Sequence, residues 1–94
     1  MRGVVWKYDI GMPGAPFAVQ MPRRACVVSV HVQGEQPRMW AIVDPEQPLE
    51  QRVFVVVATG ATIPDTKVGA VAAFVGTFLV GGGDLVFHLF EVKP

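Results

Sequence analysis

The chain has 94 residues, the length of one domain. Apolar residues make up 51% and charged residues 17%, below the usual ~25%, which excludes a disordered chain and hints at apolar surface kept for a partner. Eight basic and eight acidic residues cancel, so no field draws in a phosphate backbone and no nucleic-acid partner is expected.

Prolines and glycines punctuate the chain at short intervals, and the stretches between them are rich in Val, Phe and Trp, which favour pleated structure. Seven strands are predicted. The first runs over 3–10, with Val4, Trp6, Tyr8 and Ile10 facing inward and Val5, Lys7 and Asp9 outward. These opening residues lack the apolar core of a signal peptide. A loop from Gly11 to Pro16 leads into a short strand over 17–21. A turn carrying Arg23 and Arg24, the one adjacent basic pair, follows.

The third strand, 26–33, places Cys26, Val28, Val30 and Val32 on an apolar face and Ser29, His31 and Gln33 on a polar one. Cys26 is the single cysteine, so no intrachain disulfide forms, and its neighbours mark it as a small buried hydrophobe. Gly34, Glu35, Gln36 and Pro37 connect it to a fourth strand over 38–43, making a hairpin. Asp44 followed by Pro45 suits the first positions of a type I turn.

The fifth strand, 50–59, is apolar on both faces through Phe54, Val55, Val56 and Val57. Residues 60–73 read as a loop followed by either a short helical turn near 66–73 or an irregular arm. The sixth strand, 74–80, joins the seventh, 85–92, through Gly81, Gly82, Gly83 and Asp84. The seventh is also apolar on both faces. The longest uncharged apolar stretch, 68–83, is too short and glycine-rich to span a membrane. A soluble cytoplasmic protein is the expectation.

Consecutive antiparallel strands with short turns predict an all-β fold, a small antiparallel sandwich or barrel, as one domain over 1–94. Trp6, Val28, Val30, Trp40, Phe54, Val56, Phe78, Phe87 and Leu89 are the expected core. Two-faced strands need cover on both sides, so Val55, Val57, His88 and Phe90 are the expected second covered face, met by a barrel wall or by another protomer in a homodimer.

No pattern carries chemistry. Two histidines, His31 and His88, lack ligand spacing, so no metal is expected. Ser29 and His31 lie about 7 Å apart along a strand, too far to form a nucleophile and base. No cofactor and no catalytic residue are assigned. The positions that suit a small ligand are His31, Arg52, Thr59 and Gly60.

Several segments resemble a family of short phage and prophage proteins. They are Trp6-Lys7-Tyr8, Met21-Pro22, Val30-His31-Val32-Gln33, Trp40-Ala41-Ile42-Val43-Asp44-Pro45, Arg52-Val53-Phe54, Thr59-Gly60, Gly76-Thr77-Phe78 and Val86-Phe87-His88-Leu89-Phe90-Glu91. The likeness covers nearly the whole chain. It departs over residues 67–74, where the family has a tighter loop into a Tyr-x-Gly-Thr-Phe-like segment. The resemblance implies a phage or prophage setting and a cytoplasmic, single-domain protein. The expectation that follows is a non-enzymatic binding protein acting on a host protein or defence component. The alternatives are a nucleotide-sequestering protein with a site between protomers, and a virion or assembly component.

Overall fold

Short apolar stretches broken by turn residues become seven strands and no helix among the described residues. The computed structural model describes residues 3–64 and 70–93. The strands are β1 (Val4–Asp9), β2 (Phe17–Pro22), β3 (Cys26–Gln33), β4 (Gln36–Val43), β5 (Leu49–Ala58), β6 (Ala70–Val80) and β7 (Leu85–Lys93). They form two antiparallel sheets, β1-β4-β3 and β2-β5-β7-β6, packed face to face as a sandwich without barrel closure. The extents are 39 × 32 × 16 Å; the thin dimension fits two layers about 10 Å apart.

β6 begins at Ala70, so residues 70–73 are strand where a helical turn was an option; 66–69 lie outside the described residues. Among the described residues no helix is long and apolar enough to cross a membrane.

The turns follow their residues. Gly34 and Glu35 alone join β3 to β4, with Gln33 opposite Gln36, so Pro37 falls inside β4. β1 reaches only as far as Arg38, so Pro37 has no neighbour on that side to miss its N–H. In the next turn, Gln47 N donates to Asp44 O at 3.1 Å and Glu46 N to Asp44 Oδ1 at 3.1 Å, the type I geometry expected of Asp44-Pro45.

The core lies between the sheets. Val30, Met39, Ala41 and Val43 from one sheet meet Met21, Phe54, Val56, Phe78 and Leu89 from the other. Five residues expected to be buried differ. Val28 is 48% exposed and Cys26 is also exposed. The cause is a β-bulge between Val27 and Ser29: the extra residue inverts the alternation, so Val27 points in while Cys26 and Val28 point out. Trp6 keeps its inward orientation, opposite buried Ala41, yet is 38% exposed because β1 is an edge strand far from where β3 meets β6. Trp40 lies on the outer face of its sheet, half-buried, and Phe87 is half-buried at one end.

β3 and β6 approach closely at Gly76. A Cβ there would lie 2.8 Å from Val30 Cγ1. Glycine lets the two sheets meet at this seam.

Candidate functional site

The four positions suited to a ligand fall in three places. His31 is exposed on the outer face of the three-stranded sheet, its ring 5.8 Å from that of Trp40. Arg52 lies between the sheets. Thr59 and Gly60 stand together at the exit of β5, where Ala61 N donates to Ala58 O at 3.0 Å and Gly60 has φ +86°. That is a type II turn, which requires a positive φ at its third residue and explains the glycine without a ligand.

Arg52 is engaged on every side. Its Nε and Nη2 donate to Glu91 Oε2 and Oε1 at 2.7 and 2.8 Å, a bidentate fork, and Nη1 donates to Ala25 O. Because Ala25 precedes β3, the guanidinium ties the four-stranded sheet to the start of the other one. Burial pushes the Glu91 carboxyl up, but the hydrogen bond and charge of Arg52, with Lys93 3.3 Å away, outweigh it and hold it below its ordinary value. Burial raises the Tyr8 hydroxyl, opposed by the charge of Arg52. An open groove of about 490 Å³ runs beside Glu50, Arg52, Glu91 and Lys93. Its two cations, Arg52 and Lys93, both pair with Glu91, and Glu50 adds a second carboxylate to the lining.

The outer face of the four-stranded sheet gathers Val55, Val57, His88 and Phe90, as the alternation requires. Val55 and Val57 are buried within the chain; His88 and Phe90 are half-buried. His88 joins two threonines. Its Nε2 is 2.8 Å from Thr59 Oγ1 and its Nδ1 is 2.9 Å from Thr77 Oγ1. Thr59 Oγ1 donates to Val86 O at 3.3 Å. A hydroxyl has one proton, so the Nε2–H donates to Thr59 and Nδ1 accepts from Thr77. In that tautomer the imidazole cannot take a proton from Thr59. The chain locks β5, β7 and β6 together rather than arming a nucleophile. Among the described residues no three His, Cys, Asp or Glu side chains converge on a metal position.

One concave site was missed in the sequence. At the end where β1 stops, an apolar cleft of about 300 Å³ opens between the sheets. Its floor is Val56 and Phe78; its walls include Ile10, Met12, Leu85 and Phe87. The loop after β1 is pinned over β5 by Gly14 N donating to Val56 O at 3.0 Å. Met12 is 81% exposed and Leu85 54% exposed, and both line the cleft. No lining side chain is charged, and Gln36 supplies the polar edge. The sequence signal was Met12 held between Gly11 and Pro13: a flexible apolar side chain in a loop that has no core to enter.

A two-sheet all-β domain with an uncharged apolar cleft at one end is the class of protein these features define. The chain matches the model of a domain of unknown function, DUF7352, over residues 1–94, and it belongs to that family. No curated protein and no solved structure matches it.

Proposed function

We propose that this domain is a non-enzymatic binding module that seats an apolar side chain of a protein partner in the cleft at the open end of the sandwich. The observation that carries the reading is that exposed Met12 and Leu85 line one cleft with buried Val56 and Phe78. Exposed apolar residues around a preformed apolar depression are how protein interfaces build their central anchor points. The uncharged lining favours this over the sequestering of a nucleotide, whose phosphates need cations or free N–H donors. In the phage or prophage setting that the resemblance implies, the partner is a host protein or defence component met in the cytoplasm.

The test is crosslinking and affinity capture from phage-infected cells with tagged wild type, Met12→Glu and Leu85→Glu. Both positions are exposed, so both variants should keep the wild-type circular dichroism. A protein captured by wild type and lost from both variants supports the reading. Capture that is equal for all three overturns it, as does a wild type that captures nothing specific.

A further inference from the structure

We propose that β1 is a self-pairing edge: two copies join β1 to β1 antiparallel across a two-fold axis, extending the three-stranded sheet into a six-stranded one. The inference rests on residues other than those of the cleft.

Four strands lie at sheet edges, and unpaired edges invite pairing unless they are blunted. β3 carries the bulge at Val27 and Ser29 and lies against β6. β6 has register shifts between Val71 and Ala73 and between Phe74 and Gly76. β2 follows Pro16 and ends in Pro22. β2, like β1, keeps an unbroken register, but only β1, from Val4 opposite Val43 to Asp9 opposite Arg38, combines this with the absence of proline and glycine among the four edges. Among the described residues its one hydrogen-bonded neighbour is β4.

β1 also exposes apolar side chains on both faces, with Lys7 and Asp9 sharing the outer face with Val5. Val5 is 60% exposed on the outer side, and Val4 and Trp6 are 40% and 38% exposed on the inner side. A strand added alongside would flank the exposed side chains of both faces with cross-strand neighbours.

The sequence of β1 selects a second copy and sets its register. A two-fold axis perpendicular to the sheet keeps both inner faces on one side, so residues of the same parity must oppose each other. Centring the axis on Lys7 opposes two lysines, which destabilises the pair. Centring it on Tyr8 leaves Val4 and Val5 beyond the partner strand. Centring it on Trp6 opposes Val4 with Tyr8, Val5 with Lys7 and Trp6 with itself. No like charges meet, and each lysine stem lies on the partner's exposed valine. In one copy the Lys7 ammonium reaches Gln33 Oε1 at 2.9 Å, an exposed bond that leaves the stem free to shift. An interface this short falls below about 1,200 Å², so the dimer is weak and concentration-dependent.

Sedimentation equilibrium from low micromolar to near-millimolar protein tests this, with tryptophan emission recorded on the same samples. Wild type should move from monomer to dimer, with a blue shift as Trp6 loses water. Val5→Lys and Val5→Asp remove the same exposed valine but place opposite charges against the partner's Lys7. The first should weaken the dimer and the second strengthen it, each by about tenfold at low salt, with the difference shrinking as salt is added. A wild type that stays monomeric overturns the proposal. So do two variants that shift association in the same direction, or a dimer that neither variant affects. A monomer that instead pairs β1 with an extended peptide from another protein also overturns it.

Discussion

At Arg52 and Glu91 a fully hydrogen-bonded ion pair sits with side chains only 14% and 8% exposed. Such a pair is costly to break from one side, because the surviving charge stays buried. Glu91→Gln should therefore destabilise the domain by roughly 3–5 kcal/mol at neutral pH, measured by urea unfolding. The pH dependence has a definite sign. The folded carboxyl is held below the ordinary value of 4.5, so its stabilising effect is complete above that value and disappears as pH falls through the folded one. Wild type should lose stability across this acid range, and Glu91→Gln should lose less. A variant with the wild-type acid slope would show that the pair does not govern acid stability. The sequence singles out Arg52 only as a position suited to a small ligand, and its ion-pair partner is not legible there. Glu91 lies far along the chain, and only the pairing of β5 with β7 brings the two together.

Within single elements, one inserted residue decides where side chains point. The bulge in β3 turns Cys26 outward, so the folded protein should react with a maleimide at close to the rate of a free thiol. Protection lifted only by denaturant would place Cys26 back in the core. A second prediction concerns the seam. Gly76→Ala puts a methyl 2.8 Å from Val30 Cγ1, and Val30 is β-branched and 3% exposed, with little room to yield. The variant should lose about 1–3 kcal/mol, the usual cost of overpacking. Thermal unfolding unchanged from wild type would mean that β3 and β6 do not meet there. Strand positions were legible because alternation and turn residues are local signals; 26–33 was predicted with its observed bounds. The bulge was not legible, since Val27 and Val28 are both apolar and fit either phase. Nor were Met21, Met39, Ala41 and Val43 predicted as the core, because burial depends on which sheet a strand joins.

Across the whole molecule, the strand order sets the folding rate. The β3–β4 and β6–β7 pairs are hairpins, but β1–β4, β2–β5 and β5–β7 join distant stretches, pairing Val4 with Val43 and Val53 with Val92. Each such ladder must close a long loop before its contacts form. That order was beyond the sequence for the same reason: alternation fixes which face a residue takes but not which strand lies beside it. The tryptophans make the consequence measurable. Trp6 is on β1 and Trp40 on β4, with Trp40 opposite Lys7 and Trp6 opposite Ala41. Both report on one non-local ladder, and neither lies on the β6–β7 hairpin. Stopped-flow refolding followed by tryptophan emission should show a slow phase, in the range of ~ms to s typical of sheets with non-local pairing. Destabilising the β6–β7 turn with Gly82→Val, at a residue with φ +70°, should mainly speed unfolding if that hairpin closes after the rate-limiting step. Refolding complete within microseconds would show that the local hairpins, rather than the β1–β4 ladder, carry the barrier.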